Sequence, residues 1–332
     1  MTACKMELET KQTSDLIENQ LKTNLPIVTR IGTKLRQINP SVVVFIGRGS
    51  SDHAGVFGKY LIEIEAGIPV SLSSPSVSSI YLKKMHFKNA VVIVISQSGR
   101  SPDILTQVRM ARTHGAYTIA IINDETSPIA NLVDEVLPIR ANKEIAVVAT
   151  KSYLCTLTAL IQLTAQWTKN NVLLQELTKL PMALNKINAQ KPLLKPSDLQ
   201  TLSSLVILGR GFGFAIAKEM ALKLKEVYSI HAEAFSSAEF LHGPIALIQH
   251  EVVLLDIGVQ DESLSVHQVR IKELEEKNTN ILHLSPLGDH IHPRLSPLLI
   301  MQRFYLDIAQ AAVKLGFNPD APEGLKKITR TL

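Results

Sequence analysis

Three short stretches of the sequence carry residue types that could do chemistry. The first is Ile95-Ser96-Gln97-Ser98-Gly99-Arg100-Ser101. It follows an apolar run and opens a helical one, so hydroxyls and free backbone N–H groups converge at the positive end of a helix dipole. A phosphate dianion suits such a place. Ser50 and Ser51 close the neighbouring apolar run in the same way. A serine at a helix start is also an ordinary N-cap, and one alone would mean no more than that. Hydroxyls at two adjacent strand ends, on Ser50, Ser51, Ser96, Ser98 and Ser101, point instead to phosphate.

The second stretch is Ala221-Leu222-Lys223-Leu224-Lys225-Glu226. Lys223 and Glu226 are three apart and share a helix face. They are either a surface ion pair or a general base with a cationic neighbour, as proton transfer at carbon needs. Spacing alone leaves both open. The third is Glu239-Phe240-Leu241-His242-Gly243-Pro244. His242, before Gly-Pro, belongs on a turn. It is either an acid/base group at neutral pH or an exposed histidine without a role. His290 and His292 lie near Pro293 with no third ligand in view, so they are expected at the surface and no metal site is assigned. The Gly-Arg-Gly turns at 47–49 and 209–211 lack the glycine spacing and the acidic partner of a dinucleotide fingerprint.

The elements that must position these residues follow from hydrophobic pattern. Residues 7–36 read as one or two helices, broken near Pro26. Apolar strand runs fall at 42–46, 70–73, 90–96, 118–122 and 136–139, alternating with helical stretches near 52–66, 101–114 and 150–168. Continuous apolar strands alternating with helices argue for a parallel sheet covered on both faces. The pattern lapses over 181–200, where Pro181, Pro192 and Pro196 sit among polar residues, and then restarts. Phe45-Ile46-Gly47-Arg48-Gly49 is echoed by Ile207-Leu208-Gly209-Arg210-Gly211, each followed by a helix. Later strands at 252–257 and 280–284 and a long helix at 295–315 complete a second copy of one α/β unit. The second copy has no Ser-Gln-Ser-Gly counterpart: its matching strand runs into Asp256-Ile257-Gly258-Val259-Gln260. The expected organisation is a helical segment over 1–36, a phosphate-binding domain over 37–180, a linker over 181–200, a second domain carrying the base over 201–317, and a tail over 318–332.

Composition narrows the class. The chain has 332 residues, 45% hydrophobic and 20% charged, as in ordinary globular proteins. No apolar run is long enough to span a bilayer, and the polar N-terminus has no signal-peptide core. Two cysteines, Cys4 and Cys155, build neither a disulfide framework nor a typical zinc site, so a cytoplasmic location is expected. The net charge of +5 is scattered and aromatics are only 5%, which argues against nucleic acid and a membrane surface.

The chain from about residue 27 onward resembles the isomerase half of glucosamine-6-phosphate synthase and the related SIS-type hexosamine-phosphate deaminases. The residues that carry the resemblance are Gly49-Ser50-Ser51-Asp52-His53-Ala54-Gly55, Ser96-Gln97-Ser98-Gly99, Ala149-Thr150-Lys151-Ser152, Leu222-Lys223-Leu224-Lys225-Glu226, His231-Ala232-Glu233-Ala234, His242-Gly243-Pro244 and Leu325-Lys326-Lys327. The form Ser-Gly-Arg-Ser-Pro-Asp, with Gly-Arg-Gly-Ser-Ser-Asp-His, is most similar to the bacterial glucosamine-6-phosphate deaminases. The resemblance implies two tandem doubly wound, flavodoxin-like SIS lobes. It implies that Ser51, Ser96, Gln97, Ser98 and Ser101 bind a 6-phosphate and that Glu144, Val147 and Ala149 line a loop contacting the sugar. It also implies that Glu226 shuttles the proton between C1 and C2, assisted by Lys223. His242 is then the ring-opening histidine, reaching in from the other subunit of a homodimer, and Lys327 is the tail lysine that closes over the site.

The chain departs from the synthase pattern in two places: Ala149 replaces a serine, and Arg100-Ser101 replaces an acidic residue and a threonine. No glutaminase domain precedes the first sheet, so the chain is expected not to draw ammonia from glutamine. The expected activity is isomerising deamination of glucosamine 6-phosphate to fructose 6-phosphate and ammonia, without metal or redox cofactor. The alternatives are amination of fructose 6-phosphate by free ammonia, action on another amino-sugar phosphate, and a non-catalytic sugar-phosphate sensor.

Overall fold

A computed structural model describes residues 3–250, 252–285 and 291–327. The chain runs through α1 (Lys5–Lys11), α2 (Thr13–Ile38), β1 (Val42–Ile46), α3 (Ser50–Ala66), β2 (Val70–Leu72), α4 (Ser76–Ser79), β3 (Ala90–Ser96), α5 (Pro102–Thr113), β4 (Tyr117–Ile122) and β5 (Glu135–Pro138). It continues through α6 (Lys151–Thr168), α7 (Asn171–Leu177), α8 (Leu180–Asn188), α9 (Pro196–Leu199), β6 (Ser204–Gly209), α10 (Phe212–Tyr228), β7 (His231–Ser236), β8 (Val253–Ile257), α11 (Leu264–Glu275), β9 (Ile281–Leu284) and α12 (Ser296–Leu315). Two compact units result. One comprises Asp15–Glu144, Lys151–Lys179 and Lys326–Leu332; the other comprises Met1–Ser14, Ile145–Thr150 and Leu180–Leu325.

The first of these units holds a five-stranded parallel sheet, ordered β2-β1-β3-β4-β5. β3, at its centre, is buried along its whole length, as a parallel strand covered on both faces must be. Polar residues on α2 tie that helix in place. Asn24 donates to the Pro138 carbonyl at 2.6 Å, and Gln20 donates to the carbonyls of Ile139 and Cys155 at 2.8 and 2.9 Å. The donor groups of both buried amides thus find carbonyl partners; left unpaired, each would cost on the order of 1–3 kcal/mol.

These contacts explain a correction. A break near Pro26 was expected, but α2 runs unbroken from Thr13 to Ile38 with Pro26 inside it. The interruption falls earlier, at Gln12, between α1 and α2. Proline costs a helix interior about 3 kcal/mol. Burial of Ile17, Val28, Ile31 and Leu35 along one stripe, with the Gln20 and Asn24 bonds, outweighs that loss.

The other unit holds a four-stranded parallel sheet, ordered β7-β6-β8-β9. It repeats the first pattern, with β6 in the place of β1 and β8 in the place of β3. The repeat extends to backbone angles: Gly49 has φ 55 and ψ −130, and Gly211 has φ 53 and ψ −122. Both values lie where only glycine sits without strain, so each strand can turn sharply into its helix. β7 was not anticipated, since His-Ala-Glu-Ala-Phe-Ser lacks a strand-like composition. It is an edge strand, formed because six residues register against β6. α12 is buried along nearly all its length. Its Arg303 bonds Asp307 at 2.7 Å and the carbonyls of Ile187 and Gln190 at 3.2 and 2.9 Å. Asp307 in turn accepts the N–H groups of Leu193 and Leu194 at 2.8 and 3.0 Å.

Candidate active site

In the unit with the five-stranded sheet, β1 and β3 are neighbours in register, and each ends at the same edge in a loop that opens a helix. Ser50 and Ser51 form the first turn of α3, and Ser101 is the N-cap of α5, with Pro102 following. Ser101 makes no side-chain capping bond, and the α3 cap is Gly49, which has no side chain to offer. Ser101 is therefore not engaged as a side-chain cap. Between them, the Gly99 N–H donates to Ser96 Oγ at 3.0 Å, and Gly99 adopts φ +61. A Cβ there would meet Ser127 Oγ at 2.2 Å, so only glycine lets this loop close. Ser51, Gln97, Ser98 and Ser101 are partly exposed, and Ser96 is buried.

Asp103 is a residue that sequence reasoning missed. Its carboxylate is fully buried and takes two bonds from the Arg48 guanidinium, at 3.0 and 2.8 Å. Arg48 belongs to the β1 turn and Asp103 to the first turn of α5, so the pair fastens the two serine loops together. An acidic residue in a first helical turn is too common to have signalled this. Arg100, at the position departing from the synthase, turns to Asp124 at 2.8 Å and is exposed.

The same unit brings Glu144 and Lys327 together. Lys327 Nζ donates to Glu144 Oε2 at 3.1 Å, and the Ser152 N–H donates to Oε1 at 3.3 Å. Glu144 is buried while Lys327 is a quarter exposed, so the tail docks through this ion pair. Lys151, also buried, donates to the Lys143 carbonyl at 2.9 Å. Burial, and then the nearby Glu144 charge, push the Cys155 thiol up, which makes it a packing residue and not a nucleophile.

The other unit holds the remaining groups. Lys223 and Glu226 lie on α10 with Nζ 2.6 Å from Glu226 Oε2. The surface ion-pair reading fails on burial: the Lys223 side chain is 1% exposed, while Glu226 is 23% exposed. Sequence reasoning missed the third and fourth members of this group. Glu219, one turn earlier, is wholly buried with Oε1 3.4 Å from Lys223 Nζ. Tyr305 on α12 donates to that same oxygen at 3.2 Å. The i, i+4 spacing from Glu219 to Lys223 was a usable signal; nothing in the sequence ties Tyr305 to it. Lys225 points elsewhere, to the Ala232 carbonyl at 2.9 Å.

His242 sits on a turn as expected, after a short 3₁₀ helix over Glu239–Leu241, and is exposed. The next 3₁₀ segment, Pro244–His250, buries none of its residues. Val147 and Ala149 lie in a strip held by neighbouring segments: Val147 N–H donates to the Asp320 carbonyl at 2.9 Å, and Glu9 accepts the N–H of Ala146 at 3.0 Å. Asp320 also caps α1 by accepting the N–H groups of Lys5 and Met6 at 2.9 and 2.8 Å. His292 accepts the Arg294 N–H at 3.2 Å, while His290 lies outside the described residues. Two histidines that the sequence did not announce bond the buried Asp256 on β8: His267, itself buried, at 2.6 Å and His283, exposed, at 2.9 Å. Among the described residues no group of three or more His, Cys, Asp or Glu is arranged to hold a metal ion, and no helix is long and apolar enough to cross a membrane.

Two parallel sheets of matching topology, one with hydroxyl-bearing loops where its strands hand over to helices and one followed by a helix with a buried lysine–glutamate cluster, make a duplicated doubly wound α/β fold. The SIS domain pattern matches residues 37–165 and 199–294, and the chain belongs to that family. It is 33% identical, over 321 residues, to a glutamine–fructose-6-phosphate aminotransferase (isomerizing) of Clostridium acetobutylicum, covering 89% of this chain and 52% of that one. The chain thus spans about half the length of the curated relatives it matches. Among solved structures it is similar to a Silicibacter pomeroyi protein provisionally described as a phosphosugar isomerase, with TM-score 0.88, 30% identity and coverage of 96% and 100%. It shares its fold with a glucosamine-6-phosphate deaminase of Thermotoga maritima, with TM-score 0.77, 22% identity and coverage of 98% and 100%.

Proposed function

We propose that this chain is an isomerising glucosamine-6-phosphate deaminase. The observation that carries the reading is the α10 cluster: an ammonium buried to 1% exposure holds a carboxylate that is itself partly open. A positioned carboxylate next to a fixed cation is what proton transfer between adjacent carbons requires. The serine loops after β1 and β3 supply the second half of the argument, a seat for a phosphate dianion at two helix starts.

In this mechanism Ser51, Ser96, Gln97, Ser98 and Ser101, with Ser50 beside them, bind the 6-phosphate, and Glu144, Val147 and Ala149 border the sugar. His242 of the partner subunit opens the pyranose. Glu226 removes the proton from C2 of the open aldehyde, giving an enolamine, and returns it to C1. Lys223 is the cationic neighbour that assists Glu226, and Lys327 closes over the sugar carbonyl. The product of the shift is a ketose imine at C2, and water releases ammonia from it to leave fructose 6-phosphate. Every atom comes from substrate and water, so the residues named suffice.

Ammonia release, measured across a panel of amino-sugar 6-phosphates, tests the reading. Glucosamine 6-phosphate is expected to give stoichiometric ammonia and fructose 6-phosphate, and to exchange its C2 hydrogen with solvent deuterium. Release only from another amino sugar would correct the substrate. Net amination of fructose 6-phosphate by ammonia would correct the direction. Tight binding of a hexosamine phosphate with neither ammonia release nor exchange would overturn the enzyme reading in favour of a sensor.

A further inference from the structure

The α10 cluster contains two carboxylates and one ammonium, and the ammonium is not shared evenly. Lys223 Nζ is 2.6 Å from Glu226 and 3.4 Å from Glu219. Glu219 is the more deeply buried carboxylate, with no exposed side-chain surface. An unscreened buried charge attracts a cation more strongly than a partly solvated one, so on burial alone the lysine should lean toward Glu219. It leans the other way. Tyr305, buried to 0% exposure on α12, donates its hydroxyl to Glu219 Oε1 at 3.2 Å, the same oxygen that faces Lys223. We propose that Tyr305 is a positioning residue: by donating to Glu219 it weakens that carboxylate's hold on Lys223 and leaves the ammonium on Glu226. The assignment of a task to Glu226 rests on the function proposed above; the geometric claim about Lys223 does not.

The charged groups on other elements packed against α10 are engaged elsewhere. On α12, Arg303 and Asp307 bond each other and the 187–194 segment. On β8, Asp256 is held by two histidines. On β7, His231 and Glu233 are exposed. What reaches Glu219 from α12 is the Tyr305 hydroxyl.

Tyr305→Phe removes the hydroxyl and keeps the ring. Its crystal structure is expected to show Lys223 Nζ moved onto Glu219 and out of ion-pair distance of Glu226. An unmoved Nζ overturns the proposal, whether or not the protein is active. In kinetics, kcat for C2 exchange on glucosamine 6-phosphate is expected to fall on the order of tenfold with KM unchanged, because the change acts on the proton-transfer step and not on phosphate binding. Adding Glu219→Gln removes the competing charge and is expected to recover part of that loss. A double variant no better than Tyr305→Phe would mean the hydroxyl acts only through packing and would overturn the proposal. Wild-type protein without exchange would sink the proposed function and leave the structural test to decide this one. Should Tyr305→Phe not fold, ortho-fluorotyrosine at position 305 keeps the ring and makes a stronger donor. The Lys223–Glu219 separation should then lengthen, and an unchanged separation counts against the proposal.

Discussion

Glu226 shows how much a single side chain's surroundings decide. Three residues from a lysine on a helix face, it was equally readable as half of a decorative surface pair. The structure places the lysine in the core and leaves the carboxylate partly open. A buried ammonium left without any carboxylate would be costly, on the order of 3–5 kcal/mol for an uncompensated buried charge, but Glu219 stays beside Lys223 when Glu226 is changed. Glu226→Gln keeps the shape and polarity but accepts no proton. Loss of a positioned base is expected to lower kcat about 10²–10⁴-fold, with hexosamine-phosphate binding by calorimetry nearly unchanged. Exchange of the C2 hydrogen should vanish with it. Turnover at the wild-type rate would move the role to another carboxylate, with Glu239 the first to test.

At the scale of elements, α12 is the scaffold of its unit. It supplies Tyr305 to the α10 cluster and, two residues on, Asp307 to the 187–194 segment. Burial raises the Asp307 carboxyl above its ordinary value, against the bonds it accepts from Leu193, Leu194 and Arg303. The sign follows from that direction. A carboxyl that holds its proton more tightly when folded takes up protons on folding, so this group favours folding less as pH rises through its folded value. The Leu194 N–H and then the Arg303 guanidinium oppose that shift. Asp307→Ala leaves that guanidinium buried without its carboxylate and is expected to destabilise the protein by about 3–5 kcal/mol, read as a lower denaturation midpoint in urea. Arg303→Met with Asp307→Leu replaces both charges with apolar volume and is expected to recover much of the loss. A single variant as stable as the wild type would mean the pair does not hold α12.

For the whole molecule, the open question is how many chains make a site. His242 is exposed, and the 3₁₀ segment after it buries none of its residues. If His242 serves the partner's substrate in a twofold dimer, mixing is diagnostic. Inactive Glu226→Gln chains and inactive His242→Ala chains, allowed to exchange in equal amounts, give hybrids in which one of two sites is intact. About a quarter of wild-type activity should then return, since random pairing makes about half of the dimers hybrid. Exchange demonstrated by mass spectrometry without recovered activity would show that each site is built from one chain.

Much of the architecture was legible in the residues. Continuous apolar runs alternating with helices announce parallel sheets, because a strand covered on both faces has no polar side to show. The Gly-Arg-Gly echo announced the duplication, and the matching φ and ψ of Gly49 and Gly211 give its cause, a sharp turn that only glycine makes without strain. The serine loops were legible for a related reason: ligand edges of such sheets lie where strands hand over to helices. Local pattern has no view of what lies opposite a helix face. That Pro26 does not break α2, that His231–Ser236 forms an edge strand, and that Asp103 clasps Arg48 all depend on partners distant in sequence. So does the candidate base. Periodicity puts Glu219, Lys223 and Glu226 on one stripe of α10, but which of them is buried is decided by α12 arriving from some eighty residues away with Tyr305, because the desolvation that separates a working ion pair from a solvated one is a property of the packed interior.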